Sequence, residues 1–175
     1  MFYKLIFLTM FFLSISASAN VFQSIKSFQA SFEQTITNSS KTTIAYKGNI
    51  YIKDDSKILW QYKTPIVKNV YILENVAIID EPELEQAIYT TLDKEINLFK
   101  ILEEAQQINE NEYKATLNEI HYTITLKEKN ISSIHYKDEL ENNVLITFNE
   151  VVQNPVIDSE LFKFLPPVYY DIIRK

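Results

Sequence analysis

The stretch GNIYIKDDSKILWQYKTPIVKNVYILENVAIIDEPELEQAIY, residues 48–89, decides the fold. It divides into the runs GNIYIK, KILWQYKTP, KNVYIL, VAIID and ELEQAIY, parted by Asp54-Asp55, Thr64-Pro65, Glu74-Asn75 and Glu81-Pro82, which favour turns over strands. Around the first run, Ile44, Tyr46, Gly48, Ile50 and Ile52 fall on one face and Lys47, Asn49, Tyr51 and Lys53 on the other, the period-two alternation of a half-buried strand. Ile58, Trp60 and Tyr62 repeat the apolar face in the next run. The reading is an antiparallel meander whose continuous apolar and aromatic surface something else must cover.

On the N-terminal side, MFYKLIFLTMFFLSISASAN has a short leading segment ending in Lys4, an apolar run from Leu5 to about Ile15, and Ala17-Ser18-Ala19 as a small-residue cleavage site. The run is shorter than the roughly 20 residues of a spanning helix, so the expectation is a secretory signal over residues 1–19, cleaved after Ala19, and one domain over 20–175. The chain has no cysteine, which removes disulfides and any lipidation site of its own and leaves stability to packing. Losing the signal removes Lys4 alone among charged residues, so the net charge moves from −6 to −7. That balance argues against nucleic acid and anionic headgroups as partners.

Next, Val21, Ile25, Phe28 and Phe32 carry a helical stripe, while Phe28, Ala30 and Phe32 alternate like a strand. The expectation is a short helix from Val21 to Phe28 passing into a first strand near Ala30. Past Tyr89, Leu98, Ile101, Leu102 and Ala105 form a second amphipathic stripe behind Asp93 as N-cap, with Lys94, Glu95, Lys100, Glu103 and Glu104 opposite. The two helices together make a candidate lid for the meander. Strands resume as EYKATLN, HYTITLK, ISSIHYKD and NVLITFNEVV, with Ile120, Tyr122, Ile124 and Leu126 on one face; Pro155 ends the sheet, and the tail LFKFLPPVYYDII docks back onto it. Gly48 is the only glycine, so the turns fall to Asn and Asp, including Asn75, Asn109, Asn111, Asn130 and Asn142.

Chemistry is sparse. No thiol, G-x-S-x-G elbow, phosphate loop or H-E-x-x-H occurs, so the chain does not read as an enzyme and no cofactor is implied. His121 and His135 lie on facing strands of one hairpin, where solvated neighbours are a better reading than a metal site. Asp80-Glu81, Glu103-Glu104 and Asp138 to Glu141 read as solvated charge rather than a glycosidase pair. The aromatics Tyr46, Tyr51, Trp60, Tyr62 and Tyr71 fit ordinary core or a ligand cavity, and pattern alone favours core.

Four stretches tilt that balance: FQASFEQ at 28–34, WQYKTP at 60–65, DEPELEQ at 80–86 and FKFLPP at 162–167 ahead of Asp171. In this order, behind a signal peptide, they resemble the outer-membrane lipoprotein carriers, the LolA type of periplasmic chaperone. The resemblance implies a mainly β fold, an incomplete antiparallel barrel closed by a helical lid over an apolar cavity. It also implies a periplasmic carrier in a Gram-negative bacterium. Such a carrier accepts acylated lipoproteins from an inner-membrane ABC transporter and passes them, as a monomer, to an outer-membrane acceptor. The sequence departs from the family pattern at Asp54-Asp55, where a basic residue and proline commonly stand, and at Leu59, where an arginine often precedes the tryptophan; the basic residue's role is not carried over to Lys53 or Lys57.

Exposing an acyl chain of roughly fourteen methylenes costs about 11 kcal/mol, so a carrier must hold it in an apolar pocket. Face parity and the resemblance together nominate Ile50, Ile52, Trp60, Tyr62, Leu73 and Ile88 as cavity lining and Ile25, Phe28, Leu98 and Leu102 as lid. Alternatives are a periplasmic domain of the same fold that senses lipid or protein to regulate a membrane partner, and an exported enzyme or adhesin on the same sheet.

Overall fold

The computed structural model describes residues 21–53, 56–92 and 98–175. The signal segment, the Asp54-Asp55 turn, Asp93 and the start of the second helix lie outside the described residues. Twelve strands follow the alternating runs: β1 Ser27–Thr37, β2 Thr43–Lys53, β3 Lys57–Thr64, β4 Lys68–Leu73, β5 Val76–Glu81, β6 Gln86–Thr91, β7 Gln106–Asn109, β8 Glu112–Leu117, β9 Ile120–Lys127, β10 Asn130–Lys137, β11 Asn143–Gln153 and β12 Asp171–Arg174. They form one open, curved sheet in the order β12-β6-β5-β4-β3-β2-β1-β11-β10-β9-β8-β7. Every pairing is antiparallel except β12 with β6.

Two meanders, β2–β6 and β7–β11, thus meet on β1, which is paired along both edges. Phe28 faces Ile52 of β2 and Gln153 of β11, and Phe32 faces Gly48 and Phe148. This two-sided pairing resolves the ambiguity at 21–32. Only Val21–Ser24 coil, as one turn of 3₁₀-helix, and Phe28 belongs to β1, where ladder bonds on two sides outweigh a helical stripe that would satisfy only itself. The junction is latched: Asn154 Oδ1 accepts from Lys26 N (2.6 Å), its Nδ2 donates to Ser24 O (3.0 Å), and Ser27 Oγ donates to Pro155 O (2.6 Å).

Among the described residues the only α-helix is α1, Leu98–Glu103, which buries Leu98, Ile101 and Leu102. It packs on the Val21–Ser24 turn and on β8. Of the expected pair of lid helices, the described residues show the helical segment Leu98–Glu103 and a single 3₁₀ turn, Val21–Ser24. The large core cluster lies on the concave face, around Phe28, Ile50, Ile52, Ile124 and Ile131. A smaller one, Leu59, Tyr71, Ile78 and Phe162, lies behind the sheet. There the tail crosses β3 in a 3₁₀ turn, Ser159–Phe162, whose N-terminus is capped by Asp158 accepting from Glu160 N (3.0 Å). The tail does dock, but Pro155 does not end the sheet: Asp171–Arg174 returns as β12 against β6. Strands are longest at the centre, with 11 residues in each of β1, β2 and β11, and shortest at the edges, with 4 in each of β7 and β12.

Turn chemistry differs from expectation. Among the described residues, left-handed backbone falls mainly on Glu and Lys, as in Glu128 (φ 52°) and Lys129 (φ 67°), with Asn118 and Asn154 the asparagines so placed. Consecutive left-handed pairs at Asn118-Glu119 and Glu128-Lys129 close two hairpins with the twist their strands need. The lone glycine sits inside a strand instead. A Cβ on Gly48 would stand 1.9 Å from Gln61 O and 3.0 Å from Phe32 Cε1. Hydrogen is the only side chain that lets β3 and the Phe32 ring approach together.

Two substitutions test these statements. Gly48→Ala should cost about 2–3 kcal/mol, a fall in melting temperature of roughly 5–10 °C; an unshifted melt would mean that β2 and β3 are not this close. Lys129→Gly should stabilise by about 0.5–1 kcal/mol, by relieving left-handed strain, in the same melting assay.

Candidate functional site

Pairing registers line up the concave face in rows across the sheet. One row runs Phe148, Phe32, Gly48, Tyr62, Lys68; the next runs Ala30, Ile50, Trp60, Val70, Ile79, Ile88. Because Gly48 presents no side chain, the Phe32 and Tyr62 rings meet across it edge to face at 5.2 Å, and Phe32 meets Trp60 at 4.9 Å. Beside this aromatic group lies a cavity of about 190 Å³. One wall is Ile52, Ile58, Trp60, Tyr62, Val70 and Ile72; the other is Tyr122, Ile134, Tyr136, Ile146 and Phe148; Gln34 lies between them, and Leu98 and Ile101 of α1 complete the lining.

Of the nominated residues, Ile52, Trp60, Tyr62 and Leu98 come together in this lining. Ile50 shares their face but is fully buried in the floor. Ile88 shares the face opposite Ile79 and lies outside the cavity lining. Ile25 and Leu102 pack in the core beneath α1, where they edge a separate depression with Phe22 and Phe99. Phe28 lies in the β1 floor, not in a lid. Leu73 stands on the opposite face: it pairs with Lys57 and Val76 and packs with Tyr71 against the rear cluster. β4 is apolar on both faces because the tail covers its back, so alternation alone did not assign its parity. The wall from β9–β11 was missed, although Tyr122 and Ile124 had been read as one apolar face. Its place beside β1 comes from pairing across more than a hundred residues, which no local pattern carries.

The polar features are few. Tyr62 Oη donates to Gln34 Oε1 at 3.1 Å. Lys68 Nζ sits 4.7 Å from the Tyr62 ring centroid and 5.7 Å from that of Tyr46. Burial, with Tyr122 and Asp138 nearby, pushes the Tyr136 hydroxyl up to about 12. Burial, with Tyr136 and Tyr46 nearby, also raises that of Tyr62. Among the described residues the lining is apolar and aromatic apart from Gln34 and the tyrosine hydroxyls.

Elsewhere, His135 pairs with Thr123, one step off from His121, whose Nδ1 lies 2.9 Å from Thr116 Oγ1. Among the described residues no group of three or more His, Asp or Glu is placed to hold a metal. Asp80 is buried rather than solvated, its Oδ2 accepting from Asn69 Nδ2 at 2.8 Å. Asp138 organises its own turn, accepting from Leu140 N, Asn142 N and Asn142 Nδ2. The arrangement can sequester an apolar ligand.

Residues 23–118 match the family described as "Outer membrane lipoprotein carrier protein LolA". The chain is 38% identical over 164 residues to the outer-membrane lipoprotein carrier protein of Campylobacter jejuni, covering 94% of this chain and 96% of that one. It is 36% identical over 155 residues to the protein of the same name from Wolinella succinogenes, covering 88% and 90%. Among solved structures, an uncharacterized conserved protein from Thermus thermophilus superposes with a TM-score of 0.52 at 12% identity, covering 87% of this chain and 92% of that one, a likeness of fold alone.

The buried hydroxyls give a pH signature. Unfolded tyrosine ionises near 10 whereas folded Tyr136 holds its proton to about 12. Its contribution to stability is therefore complete below pH about 10 and lost as pH rises through about 12. Tyr136→Phe should flatten the fall in melting temperature across that window; parallel slopes for the two proteins would put this hydroxyl in water.

Proposed function

The chain belongs to the LolA outer-membrane lipoprotein carrier family, and we propose that it carries lipoproteins by enclosing their acyl chains in the concave cavity, with α1 as the part that yields. The observation that carries this reading is an apolar cavity free of reactive groups whose lining includes Leu98 and Ile101 of a six-residue helix. At about 190 Å³ the cavity is smaller than the roughly 300–1,000 Å³ of ordinary ligand pockets, so a lipid chain must displace something. Helical stability of this kind comes from tertiary packing of the apolar face, so α1 stays where Leu98, Ile101 and Leu102 are buried.

Magnitudes favour displacement. Seating Leu98, Ile101 and Leu102 contributes about 5–9 kcal/mol at roughly 1.5–3 kcal/mol each. One acyl chain of roughly fourteen methylenes contributes about 11 kcal/mol. Cargo therefore opens the carrier without nucleotide, and α1 reseats when cargo leaves, which offsets part of the cost of release. Ile52, Trp60 and Tyr62 meet the first chain in this scheme; Ile50 and Ile88 lie along the same face for chains that spread further. Ile25, Leu98 and Leu102 act as the cover.

The remaining parts of the reading concern traffic. In this reading, export with cleavage after Ala19 delivers the protein to the periplasm. It takes cargo from an inner-membrane ABC transporter as a monomer and passes it to an outer-membrane acceptor. No helix among the described residues is long and apolar enough to cross a membrane.

The test is a release assay with energised inner-membrane vesicles holding a triacylated lipoprotein. The expected result is a soluble one-to-one carrier–cargo complex that forms only with ATP on the transporter's side. Leu98→Glu, which sets a charge on the seated face of α1, should leave a folded protein that forms at least tenfold less complex. Cargo that stays in the membrane beside a matched transporter would overturn the carrier reading, and normal loading by Leu98→Glu would remove α1 from it.

A further inference from the structure

The cavity is not uniformly apolar, and its polarity is confined to one end. Thr37 of β1 faces both Thr43 and Asn143, Lys137 faces Asn143, and Lys47 faces Thr64, so the turns at 38–42, 65–67 and 138–142 bound the same end of the sheet. Gln34, Tyr62, Lys68 and Tyr136 lie within a few residues of these loops. α1 packs at the opposite end, on the Val21–Ser24 turn that precedes β1. Ile52, Ile58 and Ile72 fill the space toward it.

The groups at the polar end are matched in kind. Gln34 Oε1 is occupied by the Tyr62 hydroxyl at 3.1 Å, which orients the carboxamide and leaves its Nε2 hydrogens without a partner among the described residues. The Tyr136 hydroxyl likewise makes no protein hydrogen bond there, and with its ionisation pushed up to about 12 it remains a donor at ordinary pH. Lys68 forms no ion pair among the described residues; its ammonium rests over the Tyr62 and Tyr46 rings. Gln34 and Tyr136 line the cavity itself, with no carboxylate among its described lining residues. Donors thus stand free at the rim of an apolar hole, and the ligand that completes them is an acceptor attached to a hydrocarbon chain.

We propose that Gln34, Tyr136 and Lys68 form a carbonyl-binding subsite at the end of the cavity remote from α1, taking the ester and amide oxygens of an acylated lipid anchor. The subsite rests on the carrier reading and adds a direction to it. Acyl chains lie with their methyl ends toward α1, and the polypeptide of the cargo leaves past the turns at 65–67 and 138–142. Hydrogen bonds of this kind, two from neutral donors and one from an ammonium, are individually weak against the burial of a whole acyl chain. They therefore select orientation without holding cargo too firmly to release.

The chain's single tryptophan, Trp60, lines the cavity, so quenching by brominated acyl chains reports binding directly. The probes are two synthetic lipopeptides with identical brominated chains, one joined to its glyceryl group by esters and one by ethers, which lack the carbonyl oxygens. The protein should bind the ester form about tenfold more tightly. Gln34→Leu, Tyr136→Phe and Lys68→Met should each lower that preference about threefold or more, weakening the ester form by more than the ether form. Equal binding of both lipopeptides by the unaltered protein would overturn the subsite and leave the carrier reading standing. An equal loss for both lipopeptides in all three folded variants would also overturn it, as general damage to the cavity. No quenching by either lipopeptide would overturn the carrier reading together with the subsite.

Discussion

Everything in this molecule hangs on β1 being hydrogen-bonded along both edges. One side of the strand takes the meander that follows it in sequence, and the other takes β11, from the far end of the chain. Joining two meanders on one central strand curves twelve strands around a shared apolar face, and no helix layer is needed to make that face concave. Hydrogen bonding sets the sheet, but burial sets its register. Sliding β1 by one residue would carry Phe28, Ala30 and Phe32, all nearly fully buried, to the outer side. The latch of Asn154 onto Ser24 and Lys26 pins that register at the strand's start.

The same face must be packed enough to fold and open enough to receive something. Gly48 reconciles these demands locally. Its missing side chain lets aromatic rings close over the middle of the sheet, so the floor is dense where strands β1 to β3 run. Space remains beside it, between the β3–β4 wall and the β9–β11 wall. The rear of the sheet shows the contrast. There the tail lays Phe162 onto Leu59, Tyr71 and Ile78 as a permanent cover, bound in place by a strand of its own. One face is covered by the tail; on the other, among the described residues, α1 packs at one end against the Val21–Ser24 turn and β8.

Much of this was legible wherever the two faces of a strand differ in polarity. Ile52 beside Lys53, and Trp60 and Tyr62 on either side of Gln61, lie in the cavity lining, and Leu98, nominated as lid from its helical stripe, lies there too. Legibility failed where both faces are apolar, as in β4, whose Leu73 packs to the rear because Phe162 lies there. It failed where two periods coexist, as at Phe28, since helix and strand templates fit the same residues and only tertiary pairing chooses between them. It failed for β7 and β12, whose four residues each are too few for a pattern. Gln34 was overlooked for a different reason: a carboxamide on an apolar face signals a site only once its neighbours are known.

The taper of the sheet has a consequence for a protein whose cargo is adhesive. An unpaired strand edge is a template on which another copy can grow, and its hazard scales with the length of backbone it offers. Here the long strands lie in the interior of the sheet, and each rim ends in only four residues; those of β7 are two glutamines, an isoleucine and an asparagine, all exposed. A growing stack therefore finds a foothold of a few hydrogen bonds at either rim. The architecture that bends a broad apolar trough into shape also denies it a seam along which copies could polymerise.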